Sequence, residues 1–402
     1  MPIEYGFDPT ICDLCGSRDS SVLLELKTGR AMLSDRRIVA HNLVKRMCRR
    51  CGLARSGDRI EAVDLNSYYV QEYGVSVQPE HYFYTTEGPV SRSQLFSEWM
   101  RTVLGPDRIA GLRRCLEIGA GRGLLLKELA TGMPHSSFEG LELNRNAVLL
   151  GREAGLQIHE ETLDHFAGEG YDLIFAAAVI EHVPSPRRFL EEIRRHLRPG
   201  GFLVLIQPTQ DVWSYDILFL DHLHHFGSRH LPLYADRTGF KELAASVSHR
   251  WMPNFSLHLW QTSETPSRVP GNGDFVQTLC RQVGTQILED MRRLDETLTA
   301  LRQAGAKTAV FGLQEAYWVA QAYSRLNEMD IVCGLDDQPD KPEYADLGFP
   351  ILRPEQCLDV GVTHVILTMN PVYYEQVMPR MRALGVKVHP VFSLLSNEYA
   401  PN

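Results

Sequence analysis

Three groups of residues in this 402-residue chain have the types and spacing for chemistry. Cys12-x-x-Cys15 and Cys48-x-x-Cys51 are two knuckles separated by 32 residues. Such pairs supply four thiolates that converge tetrahedrally on Zn²⁺. A glycine follows each second cysteine (Gly16, Gly52) and lets the chain turn its amides toward the sulfurs. Four protein ligands leave no open coordination position, so the expected ion is a structural staple. A thioredoxin-like redox role fits less well, because two matched pairs are present and no βαβ pattern surrounds either. The second group, Glu117-Ile-Gly119-Ala-Gly121-Arg-Gly123, lies between a strand pattern and a helix pattern. Glycines there let the backbone approach a ligand closely and adopt φ > 0. Glu142 stands 19 residues past Gly123, at the end of the next strand, where a carboxylate accepts hydrogen bonds from ribose hydroxyls. Glu117 would repel a pyrophosphate and attract a sulfonium or an amino group.

The third group is Asp221-His222-Leu223-His224-His225-Phe226, with His230 beyond. Three readings stay open at this point. His222 and His225 would lie at i, i+3 on a helix and could ligate a metal. An imidazole oriented and charge-stabilised by Asp221 or another carboxylate could serve as a general base near neutral pH. Or the histidines merely satisfy local backbone groups at a polar helix start.

These groups need elements to position them. RCLEIG (114–119), FEGLEL (138–143), YDLIFAAAVI (171–180) and FLVLIQP (202–208) read as strands. LLLKELA (124–130) and RRFLEEIRRHL (187–197) read as helices, the latter stopping at Pro199-Gly200-Gly201. Alternation of this kind means an α/β fold with a mainly parallel sheet. The Pro/Gly/Ser-rich stretch Glu264–Gly273 reads as a linker, and an amphipathic helix from Val276 to Leu301 follows it. KTAVFGL (307–313), DIVCGLDD (330–337), THVILTM (363–369) and VKVHPVF (386–392) then form a second α/β pattern. Three domains are expected: a zinc-binding module over 1–85, a core over 86–265 and a C-terminal α/β domain over 266–402.

Composition bounds the partners. The chain has 41 Lys plus Arg against 50 Asp plus Glu, a net charge of −9, which disfavours a nucleic-acid or anionic-membrane coat. Between Lys27 and Arg59, ten basic residues face two acids, which suits either a phosphate-binding surface or a solvated face. No apolar run is long enough to span a membrane, and the N-terminus lacks a signal-peptide pattern. A cytoplasmic protein with a small-molecule substrate is expected, as a monomer or a dimer.

LEIGAGRG, LEL, YDLIFAAAVIEHVPSPRRFL and LRPGGFLVL stand in order over residues 113–207, and there the sequence resembles the class I S-adenosylmethionine-dependent methyltransferases. The resemblance implies a Rossmann-like core in which Glu117, Gly119, Gly121 and Gly123 hold the methionine end of S-adenosylmethionine. It places Glu142 and Leu143 at the ribose, Thr162 in EETL (160–163) beside the adenine and Ala177 near the sulfonium. The whole chain, with its cysteine knuckles and third α/β domain, is similar to the sugar C-methyltransferases of deoxysugar and antibiotic pathways. FLDHLHHFG (219–227) looks like that family's base segment, with Asp221 as the acid and His222 as the base. His182 of the E-H-V motif and Tyr84 of Tyr82-Phe83-Tyr84-Thr85-Thr86 match further family positions. Phe219 and His225 stand where the family commonly has tyrosines, and Gly312-Leu313-Gln314-Glu315-Ala316 replaces its usual Gly-Ala-x-x-Lys loop. The resemblance implies C-methylation of a nucleotide-linked keto-deoxysugar next to its ketone, through an enolate. O- or N-methylation of another small molecule is the alternative, and RNA methylation is disfavoured by the charge.

Overall fold

The computed structural model describes residues 7–60, 64–85, 88–212, 214–249, 252–263, 274–341, 344–345 and 347–393. The chain packs as two compact units. The first takes residues 1–22, 45–216 and 221–279, and the second takes 23–44, 217–220 and 280–402.

In the first unit, strand β1 (Leu43–Cys48, from Lys45 onward) pairs antiparallel with β2 (Ala54–Ser56). Helix α1 (Arg92–Leu104) begins at a capping box in which Ser91 and Gln94 satisfy each other's backbone amides. Then come β3 (Arg114–Ile118), α2 (Leu124–Gly132), β4 (Ser137–Glu142), α3 (Arg145–Glu153), β5 (Ile158–Glu160) and β6 (Tyr171–Ala177). They are followed by α4 (Pro186–His196), β7 (Leu197–Pro208), β8 (His224–His225), α5 (His230–Arg237), β9 (Phe240–His249) and β10 (Met252–Thr262). Seven of the strands form one sheet in the order β5-β4-β3-β6-β7-β10-β9. The first five run parallel, and β10 is antiparallel to both β7 and β9.

Strand alternation divides the core in two. Leu173, Phe175, Val204 and Ile206 face one apolar cluster with Leu95 and Met100 of α1. Ile174, Ala176, Leu203 and Leu205 face the other, with Ile193 of α4, Leu231 of α5, and Cys12, Leu14, Cys48 and Leu53 of the knuckles. Because β4 and β5 lie to one side of β3 and β6 to the other, the strand order reverses beside β3. In open α/β sheets that reversal leaves a crevice at the carboxyl ends of the strands.

Two sequence expectations shift here. α4 ends at His196, and Pro199-Gly200-Gly201 lies inside β7 rather than after the helix. β6 ends at Ala177, because Ala178 turns the chain with a left-handed φ of 55°. The linker read over Glu264–Gly273 lies outside the described residues.

The second unit contains α6 (Asp274–Gln303, from Cys280 onward), which buries Val283, Ile287, Met291, Leu294, Leu298 and Leu301 along one stripe. Strands β11 (Thr308–Phe311), β12 (Ile331–Leu335), β13 (Ile351–Leu352), β14 (His364–Leu367) and β15 (Lys387–Pro390) form an all-parallel sheet. Its order is β13-β12-β11-β14-β15.

Candidate active site

The glycine loop leaves β3 and enters α2 with Gly119, Gly121 and Gly123 at φ of 72°, 54° and 80°. Side chains would also collide there: a Cβ on Gly119 would stand 2.6 Å from Val179 Cγ2, and one on Gly123 would stand 2.3 Å from Leu156 Cδ1. Glu142 closes the loop from the end of β4. Its carboxylate accepts N–H bonds from Gly121 at 2.7 Å and from Leu143 and Asn144 at 2.8 Å each. Glu117 is buried, and its Oε2 has no hydrogen-bond partner among the described residues. Burial, and then the charge of Glu142, push the Glu117 carboxyl well above the usual range. Thr162 bonds His165 Nδ1 at 2.9 Å on the surface beyond β5, and Ala177 closes β6. Sequence reading missed the segment over the loop: Ser76 accepts the Arg122 N–H at 3.1 Å, and Tyr73 accepts from Asn144 Nδ2 at 3.4 Å.

The histidine segment departs from the helical reading. Asp221 lies in a turn, and His224 and His225 form a short strand that pairs with Arg55 and Ala54 of β2. Ser56 donates its N–H to Leu223 O at 2.9 Å, and Lys45 Nζ donates to His222 O at 2.8 Å. The carboxylate hydrogen-bonded to His222 is Asp216, not Asp221 as expected. Asp216 accepts from His222 Nδ1 through Oδ1, and through Oδ2 from His225 Nδ1 at 2.6 Å and Gln210 Nε2 at 2.5 Å. Asp221 instead accepts the Tyr69 hydroxyl at 3.2 Å, and Tyr69 Oη stands 2.8 Å from His182 Nδ1. Tyr69 is thus the phenol in this site. The Tyr84 side chain, expected there, lies outside the described residues. Only the hydrogen-bond network, not an aromatic motif, identifies Tyr69.

Hydrogen-bond chemistry assigns the tautomers. His182 Nδ1 also faces the Asp221 carbonyl at 3.2 Å, and a carbonyl only accepts. Nδ1 therefore carries the hydrogen, and Nε2 carries the lone pair. By the same logic Asp216 fixes Nδ1–H on His222 and directs its lone pair to Nε2. The His182 and His222 rings stand 4.5 Å apart, edge to face.

Burial and charge compete across this cluster. Burial lowers His182 to about 4 and His225 to about 4. The same burial acts on His222, but Asp216, Asp221 and Glu181 outweigh it and hold His222 above the usual imidazole value. Burial, relieved in part by Asp216 and Asp221, lowers Lys45 to about 7. Burial raises Glu181 to about 7. A separate cavity of about 720 Å³, lined by Arg194, Arg195, Arg198, Arg237 and Thr262, lies where β7 begins and β10 ends. It gathers none of these acids and bases.

The four knuckle cysteines also converge. Cys12 and Cys51 sulfurs stand 3.5 Å apart, as do those of Cys15 and Cys48, and all four lie within 4.8 Å of one another. Thiolates 2.3 Å from one tetrahedral ion stand about 3.8 Å apart, so the set fits Zn²⁺.

Residues 91–246 match a family described as a methyltransferase domain. Their parallel sheet and glycine loop make a Rossmann-like fold of the kind that family has. The domain is similar to the ubiquinone biosynthesis O-methyltransferase of Roseobacter denitrificans, at 28 % identity over 44 % of this chain and 64 % of that protein. The counterpart from a Caulobacter species is 31 % identical over 32 % of this chain and 53 % of its own length. The chain thus spans under two thirds of these relatives. The solved structure of the mitomycin 7-O-methyltransferase matches at 16 % identity, over 42 % of this chain and 57 % of that one, with a TM-score of 0.35. Among the described residues, no helix of this methyltransferase-domain protein is long and apolar enough to cross a membrane.

Proposed function

We propose that this protein is an S-adenosylmethionine-dependent methyltransferase that methylates a carbon next to the ketone of a nucleotide-linked keto-deoxysugar. The observation that carries this reading is the buried His222–Asp216 pair, a tautomer-fixed base in the domain that would carry the methyl donor. S-adenosylmethionine fits the glycine loop: Glu117 Oε2 is a buried acceptor without a donor, and the loop has room for backbone but not for side chains. Glu117, Gly119, Gly121 and Gly123 would hold its methionine end, Glu142 and Leu143 its ribose, Thr162 its adenine, and Ala177 would line the sulfonium. When bound, it supplies an electrophilic methyl group.

The chain's own residues prepare the nucleophile. His222 takes the α-proton of the ketone on Nε2, and Asp216 balances the resulting imidazolium. His182, with its lone pair on Nε2, does not donate to the enolate oxygen in this tautomer. Tyr69 is the neighbouring hydroxyl that serves that oxygen by exchanging its bond to Asp221. His225 shares Asp216 and sets its orientation. Zn²⁺ on Cys12, Cys15, Cys48 and Cys51 would brace β2, whose partner β8 extends the histidine segment. The three-segment organisation over 1–85, 86–265 and 266–402 assigns these parts to brace, core and C-terminal α/β domain.

A second reading, O- or N-methylation of a small molecule, is favoured by the names of the two relatives and by Phe219 in place of a phenol. Incubation of keto-deoxysugar nucleotides with protein and methyl donor in deuterated water, followed by intact-mass analysis, separates the two. A carbon-bound methyl with exchange at the α-position supports the enolate reading. A heteroatom-bound methyl replaces it with the second.

A further inference from the structure

Glu181 follows the strained turn at Ala178, and its carboxylate is almost fully buried. Neither of its oxygens has a hydrogen-bond partner among the described residues. Burial without a donor disfavours the Glu181 anion, which a cation at this point would stabilise. One ligand atom from each of Glu181, His182 and His222 lies within 4.8 Å of the other two. Both imidazoles commit their Nδ1 hydrogens elsewhere, His182 to Tyr69 and the Asp221 carbonyl, His222 to Asp216. With Nδ1 so engaged, Nε2 is the nitrogen through which each ring would ligate an ion. Two neutral imidazoles and one carboxylate on one face are the donor set of a divalent transition metal. The outer hydrogen bonds from Nδ1 to a carboxylate and a phenol are the supports that orient histidine ligands. Mg²⁺ and Ca²⁺ suit the set poorly, since both prefer oxygen donors throughout.

We propose that Glu181, His182 and His222 form a second metal site, separate from the cysteines, for a divalent ion of the Zn²⁺, Co²⁺ or Ni²⁺ type. A tetrahedral ion with bonds of about 2.1 Å needs ligand atoms about 3.4 Å apart, so atoms now within 4.8 Å of one another would draw in on binding. The consequence for turnover rests on the function proposed above. His222 Nε2 takes either the substrate proton or the ion, so a filled site silences the base.

The test counts metal on the full-length protein. Co²⁺ is titrated into protein whose cysteine site is already filled with Zn²⁺, and bound Co²⁺ and Zn²⁺ are counted after desalting. Wild type is expected to take up one Co²⁺ per chain beyond its Zn²⁺, without thiolate charge-transfer absorption. Glu181→Gln and His182→Asn are expected to take up none while still binding S-adenosylmethionine, which reports an intact fold. Equal uptake by wild type and Glu181→Gln, or no uptake by wild type, overturns the site. Turnover is read separately, and is expected to fall at least tenfold as the second equivalent fills. Uptake that depends on Glu181 but leaves turnover unchanged confirms the site and overturns the base role of His222.

Discussion

Replacing Asp216 by Asn tests the base most sharply, because the substitution keeps shape and removes charge. Asp216 accepts three hydrogen bonds on two oxygens, from His222, His225 and Gln210. An amide offers one accepting oxygen and one donating NH₂. If its oxygen faces His222, the NH₂ meets the donors of His225 and Gln210. If its NH₂ faces His222, that ring must move its hydrogen to Nε2 and loses the lone pair that accepts the substrate proton. In either orientation the imidazolium formed during proton transfer loses its carboxylate. A charge-assisted bond contributes about 1.5–3 kcal/mol, and two such bonds change here. A loss of about 3–5 kcal/mol from the transition state lowers kcat by about 10²–10⁴-fold. The assay pairs methyl transfer with wash-in of deuterium at the acceptor's α-carbon, and S-adenosylmethionine affinity serves as the folding control. Both rates are expected to fall together while donor affinity stays within about twofold. Asp216→Asn turnover within about threefold of wild type would refute the pairing argument.

Asp221→Asn is expected to cost less than Asp216→Asn, about tenfold in kcat, since Asp221 holds Tyr69 rather than the base. A larger loss for Asp221→Asn would restore Asp221 as the base's partner. Gly123→Ala is expected to weaken donor binding by at least about tenfold, because the loop must leave its left-handed φ of 80° and clear Leu156; calorimetry reads the affinity. Removing the cysteine-bound ion with a chelator is expected to lower kcat by more than it lowers donor affinity, because β2 pairs with the His224–His225 strand. Equal losses would make the knuckles a general folding staple. Asp172 accepts N–H bonds from Arg113 and Arg114 at 2.8 Å each and pairs with Arg198. Burial opposes its ionisation, but those three partners outweigh it and hold its carboxyl below the usual range. A depressed carboxylate stabilises the fold above its unfolded pKa, and that contribution is lost as pH falls through the folded value. Asp172→Asn should therefore cost about 1–2 kcal/mol at pH 7 and progressively less toward pH 3, as read by urea unfolding.

The parts of the site that lie close in sequence were legible, and the parts assembled across the fold were not. Gly119, Gly121 and Gly123 announce themselves because a strand, a turn with φ > 0 and a helix follow within ten residues, and local rules govern each. The cysteine knuckles are likewise local, two residues apart within each pair. The strands β3, β4 and β6 were placed within a few residues by their apolar runs, since buried parallel strands are apolar on both faces. His222 is legible in the sequence, but the resemblance points to its neighbour Asp221 as the partner. The segment is held by β2, which lies some 170 residues earlier. Pairing of that range leaves no periodicity in either strand. The carboxylate that reaches His222 Nδ1 lies six residues earlier, while Asp221 accepts the Tyr69 hydroxyl. Tyr69 and Glu181 were hidden for a related reason. A tyrosine is recognised as functional only by what it touches, and Tyr69 touches His182 and Asp221, 113 and 152 residues away. Glu181 was read only as a letter of the E-H-V motif. Its significance is its isolation: a carboxylate with buried oxygens and no donor among the described residues, in a unit where Asp172 and Glu142 each hold several. Acids with opposite hydrogen-bond supply separate where the fold braces itself from where, on the proposal above, it takes a cation.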